Sequence, residues 1–132
     1  MKYLDESLFI AAALDPGPTG DRCRAVLRKV RAGELPAATS ALTWDELAYV
    51  VGRRRGREAG LDAGRRLLAI AHLRLVAVDT EVLREADRAA RTPGVRPRDA
   101  LHVASARKAG ASVIVSEDRD LDRIPGLPRE WV

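Results

Sequence analysis

Short apolar runs alternate along the chain with longer segments in which apolar residues recur at helical spacing. The runs predict strands at residues 3–4, 37–41, 73–78 and 111–115. The helical spacing predicts helices over residues 8–14, 21–33, 43–51, 67–73 and 97–108. A further helix is predicted to begin at residue 80 and to end before a turn at 92–94. Because the strands are apolar on both faces, they need cover on both sides. The pattern therefore predicts an α/β sandwich whose parallel strands are joined by crossover helices.

Residues 52–66 interrupt this pattern with a glycine at every fourth position and six arginines. The spacing lacks the Lys-Ser/Thr ending of a phosphate-binding loop. We interpret the segment as an exposed helical hairpin whose glycines allow close packing, and phosphate binding by its backbone amides is the alternative. In the first interpretation its basic side chains form a contact surface for RNA or for a protein partner, and they include Arg53, Arg54, Arg55 and Arg57.

Composition narrows the class of protein. With 132 residues, 46% of them hydrophobic, the chain is expected to form one domain over residues 1–132. Its single cysteine excludes an internal disulfide and a cysteine-based zinc site. The longest apolar run has seven residues, against about 20 for a membrane helix, and acids at positions 5 and 6 argue against a signal peptide. We expect a soluble, cytoplasmic protein whose net charge of +4 favours a polyanionic partner.

Four acids stand where a parallel sheet forms its sites, at or just beyond the carboxyl ends of the strands. Asp5 follows the first strand, and Glu46 lies one turn into the helix after the second. Asp99 is in the first turn of the helix over 97–108, and Asp118 follows the strand over 111–115. The hydroxyl residues two positions from Asp5 and Asp118 could hold the rotamer of a carboxylate, and these are Ser7 and Ser116.

Each acid also has a structural interpretation. Glu46 completes a capping box with Thr43. Asp99 at a helix N-terminus gains about 0.3–1 kcal/mol from the macrodipole. Asp5 could be an N-cap, and Asp118 could belong to a polar loop. Only the occurrence of all four together favours a functional site.

Converging carboxylates repel one another and raise each other's pKa unless a cation lies between them. Oxygen ligands without cysteine select hard ions such as Mg²⁺ or Mn²⁺. A pocket with one or two such ions suits phosphodiester hydrolysis, because a bound ion lowers the pKa of the attacking water and stabilises the leaving oxygen. This mechanism needs no 2′-hydroxyl nucleophile.

Four motifs resemble, in order and spacing, those of the PIN-domain family. They are Leu-Asp-Glu-Ser at 4–7, Thr-Trp-Asp-Glu-Leu at 43–47, Arg-Asp-Ala-Leu-His-Val-Ala at 98–104 and Val-Ser-Glu-Asp-Arg-Asp-Leu at 115–121. The resemblance runs from residue 1 to residue 121. Within the family, the chain is similar to the small VapC-like toxins of prokaryotic toxin–antitoxin pairs.

The resemblance implies a short, mainly parallel five-stranded sheet flanked by helices and a Mg²⁺- or Mn²⁺-dependent endoribonuclease. Its catalytic acids would be Asp5, Glu46, Asp99 and Asp118. Asp5 and Asp99 would bind the metal directly, Asp118 directly or through water, and Glu46 through water. Supporting residues would be Ser7, Ser116 and Asp120. Family members commonly dimerise and are inhibited by a small antitoxin near the acidic pocket, so the expected partners are RNA, a cognate antitoxin and a second copy of the chain.

Some points stay open at the level of sequence. Glu6 stands where a hydroxyl residue is common in the family, and it either adds a fifth carboxylate or faces solvent. Asp120 could share the role of Asp118. His102 is interpreted as a packed or carboxylate-bonded residue rather than a ligand. A non-catalytic RNA- or protein-binding PIN-like module and a phosphoacceptor α/β domain are the alternative functions, although the second needs a lysine near the acids.

Overall fold

Five parallel strands form one sheet in the computed structural model, which describes residues 1–132. The strands are β1 (Lys2–Leu4), β2 (Ala37–Ser40), β3 (Leu73–Val76), β4 (Val113–Val115) and β5 (Arg129–Glu130), and they lie in the order β3-β2-β1-β4-β5. The helices are α1 (Glu6–Leu14), α2 (Pro18–Arg31), α3 (Leu42–Arg55), α4 (Arg57–Leu68), α5 (Thr80–Ala89), α6 (Pro97–Ala109) and a 3₁₀ helix at Arg119–Arg123. No helix combines the length and apolar character needed to cross a membrane. The predicted α/β fold is confirmed.

Two apolar clusters cover the two faces of the sheet. Tyr3 of β1 packs on one face with residues of α5 and α6, among them Val82 and Val103. Leu4, its neighbour in β1, packs on the other face with residues of α1 to α4, among them Leu47. Consecutive strand residues point to opposite faces, which explains why Tyr3 and Leu4 belong to different clusters. Because β1 is the central strand, residue 5 emerges at the middle of the sheet's carboxyl edge.

The structure corrects the predicted elements in two places. Helix α4 ends at Leu68, so the prediction of a helix over 67–73 is wrong. The chain must extend from residue 73 to pair with β2, and His72 takes a left-handed φ of 64° in the turn before it. The resemblance implies a fifth strand, but the hydrophobic pattern did not locate β5, because its two residues, Arg129–Glu130, carry charges and no apolar pattern. Its place in the sheet comes from backbone pairing with β4.

Helices α3 and α4 form the exposed hairpin expected at residues 52–66. They meet at Gly56, whose φ of 96° favours glycine. A Cβ on Gly60 would lie 2.4 Å from the carbonyl oxygen of Ala48, so glycine permits the close approach of the two helices. The backbone N–H groups of Gly56 and Gly60 donate to the carbonyls of Gly52 and Gly56 and are not available to a phosphate. The exposed side chains of the hairpin include Arg53, Arg54, Arg55 and Arg57.

Candidate active site

Asp5 lies at the centre of the candidate site, directly after β1. The residue is 4% exposed, and its side chain does not cap the first turn of α1. Instead, Ser116 Oγ donates to Asp5 Oδ2 at 2.5 Å, and Ser7 Oγ donates to the same oxygen at 3.5 Å. Both serines therefore hold Asp5, although the sequence associated Ser116 with Asp118. Ser116 connects the two acids, because its Oγ also accepts a hydrogen bond from the backbone N–H of Asp118 at 3.1 Å.

Glu46 is buried and does not form the capping box that the sequence suggested. Helix α3 begins at Leu42 and has no side-chain cap, and the Thr43 hydroxyl lies 2.8 Å from that of Thr39. The Glu46 carboxylate is directed towards the sheet edge, where Oε1 lies 2.7 Å from Nε2 of His102. The capping-box interpretation is therefore wrong, and the burial of this carboxylate calls for another explanation.

His102 of α6 connects the buried acids. Its ring is 1% exposed, and its Nδ1 lies 2.7 Å from the Tyr3 hydroxyl. Its Nε2 lies 2.7 Å from Glu46 Oε1 and 3.2 Å from Glu6 Oε2, and its Nδ1 lies 3.4 Å from Asp5 Oδ1. Burial alone would lower the pKa of His102, but the hydrogen bond to Glu46 and the surrounding carboxylates raise it above its usual value. Because both ring nitrogens have close polar partners, His102 fits the carboxylate-bonded interpretation better than that of a ligand.

Asp99 and Asp118 meet through Arg96, the residue that precedes α6. Arg96 Nε donates to Asp99 Oδ2 at 2.8 Å, and Arg96 Nη2 donates to Asp118 Oδ2 at 3.0 Å. Asp99 is 8% exposed, whereas the Arg96 side chain is 70% exposed. Asp118 also accepts from the backbone N–H of Asp120 and so begins the 3₁₀ helix. The two acids thus lie side by side on the open rim of the site.

Glu6 joins the buried acids rather than facing solvent. Burial, together with the neighbouring Asp5 and Glu46 carboxylates, raises the pKa of Glu6 to about 10. Burial also opposes ionisation of Asp5, but hydrogen bonding with Glu6 and Ser116 and the charge of His102 lower the pKa of Asp5 below its usual value. At neutral pH the metal-free pair therefore shares one proton, as expected for two carboxyl groups in one pocket.

Two oxygens of this pair accept no hydrogen bond from any residue outside the pair, and they are called unpartnered below in this sense. They are the buried atoms Asp5 Oδ1 and Glu6 Oε2. A buried acceptor without a partner costs about 1–3 kcal/mol or more if charged, so its persistence needs a reason. Asp5, Glu6 and His102 bring ligand-type atoms within 4.8 Å of one another. Unpartnered carboxylate oxygens at this spacing fit a hard divalent cation.

The contacts link all four predicted acids. They run from Glu46 through His102 to Asp5, from Asp5 through Ser116 to Asp118, and from Asp118 through Arg96 to Asp99. The carboxylate of Asp120 takes no part in these contacts, since it is half-exposed and lies 3.8 Å from Arg123. The basic residues of the α3–α4 hairpin make none of these contacts. Arg96 was missed, although its position three residues before Asp99 is a spacing at which helical side chains meet.

Comparison with known proteins identifies the family. The PIN domain model matches residues 2–127, and the chain belongs to this family. Its fold is similar to that of VapC20 from Mycobacterium tuberculosis, described as a sarcin–ricin loop cleaving toxin, with a TM-score of 0.77, 19% identity and 96% and 97% of the two chains covered. It is also similar to VapBC2 from Rickettsia felis, solved bound to a DNA fragment from its promoter (TM-score 0.76, 19% identity, 99% and 98% covered).

A third similar structure is PAE2754 from Pyrobaculum aerophilum, with a TM-score of 0.65, 23% identity and 97% and 82% of the two chains covered. A comparison with curated protein sequences finds no significant match. At these identities the structural likeness establishes the fold alone.

Proposed function

We propose that this protein is a Mg²⁺- or Mn²⁺-dependent endoribonuclease and the toxin of a toxin–antitoxin pair. The observation that carries the proposal is the pair of buried, unpartnered oxygens, Asp5 Oδ1 and Glu6 Oε2, at the centre of linked carboxylates. Membership of the PIN family and a fold shared with VapC toxins support it. A phosphoacceptor role lacks its lysine, because only Arg96 and His102 lie within ion-pair distance of the acids.

In this proposal Asp5 and Asp99 bind the metal directly, Asp118 binds it directly or through water, and Glu46 acts through water. Ser116 and Ser7 fix Oδ2 of Asp5, which leaves Oδ1 for the ion. When bound, the metal supplies a water of lowered pKa and positive charge at the leaving oxygen. His102 holds Glu46 in place from the core side. The reaction leaves a 5′-phosphate and does not use the RNA 2′-hydroxyl.

The test is cleavage of end-labelled RNA by the purified protein. We expect cleavage with Mn²⁺ or Mg²⁺, its loss in excess EDTA and its return when the metal is restored, with 5′-phosphate on the new ends. Cleavage that continues in excess EDTA would reject the metal-dependent mechanism. Binding of RNA without any cleavage in Mn²⁺ would favour the non-catalytic module.

We further propose that the α3–α4 hairpin binds the RNA backbone. Replacing Arg53, Arg54 and Arg55 together by Ala is expected to weaken RNA affinity by about tenfold or more and to reduce the slope of log affinity against log salt by up to about 2. The physical reason is that fewer counterions are released from the RNA. The measurement is RNA binding by fluorescence anisotropy at several salt concentrations.

A matched control removes three exposed arginines in and just after α5, namely Arg84, Arg88 and Arg91. The net charge changes by the same amount, but the hairpin keeps its charges. If both triple variants lose the same affinity and slope, the effect comes from overall charge and the hairpin has no specific role.

An antitoxin partner is also proposed, and a groove of about 530 Å³ between α1, α2, α3 and α4 suits it. The groove is lined mainly by apolar side chains, including Phe9, Leu27, Val51 and Leu67. Arginines also line it, namely Arg24, Arg28, Arg31, Arg55 and Arg66. This combination suits an antitoxin segment with apolar and acidic side chains.

We expect a small open reading frame just upstream of the gene for this chain. Its product should co-purify with the chain and block RNA cleavage. The homodimer stays a prediction from the family resemblance.

A further inference from the structure

Arg96 is the one exposed cation in direct contact with the acidic site. Only Arg96 and His102 lie within ion-pair distance of the five acids at 5, 6, 46, 99 and 118. His102 is 1% exposed and cannot reach a ligand outside the protein, whereas the Arg96 side chain is 70% exposed. Any group that enters the site from solvent on the side of Asp99 and Asp118 therefore meets the Arg96 guanidinium.

The geometry of the ion pairs shows what Arg96 does in the metal-free protein. Its guanidinium bridges two carboxylates that lie 19 positions apart in the chain, with Nε on Asp99 Oδ2 and Nη2 on Asp118 Oδ2. Asp99 and Asp118 would otherwise repel each other. Arg96 thus supplies the positive charge that a metal ion would supply to the same two acids. Under the proposed function, a divalent ion and this guanidinium are alternative counterions of one pair of carboxylates.

A guanidinium released from carboxylates keeps its charge and its planar set of N–H donors. Phosphate oxygens match this donor set as well as carboxylate oxygens do. Because the Arg96 side chain is 70% exposed at the edge of the site, it is within reach of a group that enters there from solvent. Phosphate is the only group of the proposed substrate that carries a full negative charge.

We propose that Arg96 exchanges partners during function: it neutralises Asp99 and Asp118 in the metal-free protein and binds an RNA phosphate at the site once metal occupies those acids. This assignment rests on the proposed function. It makes Arg96 a substrate-binding residue that also weakens metal binding in the absence of RNA.

The test compares Arg96→Gln with Arg98→Gln as a matched control. Arg98 lies next to Asp99 in sequence and is exposed, but it forms no ion pair. Mn²⁺ binding without RNA is measured by electron paramagnetic resonance of the free ion. Arg96→Gln is expected to bind Mn²⁺ about two- to tenfold more tightly than the wild type, since two exposed ion pairs no longer compete. Arg98→Gln is expected to bind Mn²⁺ like the wild type.

The second half of the test is RNA cleavage at saturating Mn²⁺. Arg96→Gln is expected to raise KM by about tenfold and to lower the salt slope by about 1, as for loss of one phosphate contact. If either the Mn²⁺ affinity or the KM of Arg96→Gln equals that of Arg98→Gln, the exchange is overturned while the nuclease proposal stands. If the wild type binds no Mn²⁺, both the exchange by Arg96 and the proposal of a metal-dependent nuclease are overturned.

Discussion

Asp5→Asn is expected to lower RNA cleavage by more than about a hundredfold. Loss of a residue that only supports a metal ligand costs about 10- to 100-fold, and Asp5 is proposed to bind the metal directly. The substitution removes one negative charge and changes the shape of the side chain little. Its amide oxygen still accepts from Ser116, which donates to Oδ2 in the wild type at 2.5 Å. The variant should therefore fold, and its loss of activity should follow a loss of Mn²⁺ affinity. Both quantities are measured on the same preparation.

Asp99→Asn is expected to behave in the same way, because Asp99 is the second proposed direct ligand. The control is Asp45→Asn, which removes an exposed acid next to Glu46 in sequence. It should cleave RNA at the wild-type rate. Wild-type cleavage by Asp5→Asn, with circular dichroism showing a folded protein, would place the active site elsewhere.

Glu6→Gln is expected to change the pH dependence of stability. The pKa of Glu6 rises from 4.5 to about 10 on folding, so the folded protein binds more protons than the unfolded chain between these values. The free energy of unfolding of the metal-free protein therefore falls as pH rises through this window, by up to about 1.4 kcal/mol per pH unit. The raised pKa of His102 acts in the same direction. The amide of Gln resembles the protonated carboxyl, so the variant should lose the part of the slope that belongs to Glu6.

Urea unfolding in EDTA between pH 7 and pH 9 measures this slope, and Glu34→Gln, an exposed loop residue, is the control. We expect the control to follow the wild type and Glu6→Gln to be flatter. Glu6→Gln should also weaken Mn²⁺ binding, because one of the two unpartnered oxygens belongs to Glu6. Equal slopes in all three proteins would mean that Glu6 titrates normally and that the acids are not coupled.

The sequence predicted those features that depend on local pattern. The α/β class follows from short apolar strands between helices, and the four acids follow from the rule that parallel strands place their sites at one edge. The predicted ends of the helices and strands were less accurate. The helix predicted over 67–73 stops at Leu68, because pairing with β2 decides where β3 begins. Strand β5 exists through backbone hydrogen bonds, and its charged residues give no sign of it.

The side-chain partners of the acids could not be predicted from the sequence, for a different reason. Glu46 and His102 are 56 positions apart, and Ser116 and Asp5 are 111 apart. Such contacts depend on how the helices pack, and spacing along the chain carries no information about them. From the sequence alone, a capping box therefore explained Glu46 as well as a catalytic role did. Only the structure places the Glu46 carboxylate against the imidazole of His102. Glu6 could be assigned to the site only after its burial was known.

The most direct test of the proposed metal site is the location of bound Mn²⁺ by anomalous X-ray scattering from crystals of the protein. We expect an anomalous peak in contact with Asp5 Oδ1, the buried and unpartnered oxygen, with Glu6, Asp99 and Asp118 around it. The peak should be absent from crystals of Asp5→Asn grown under the same conditions. Crystals that hold Mn²⁺ at saturating concentration only at other places, or not at all, would contradict the proposed metal-dependent site.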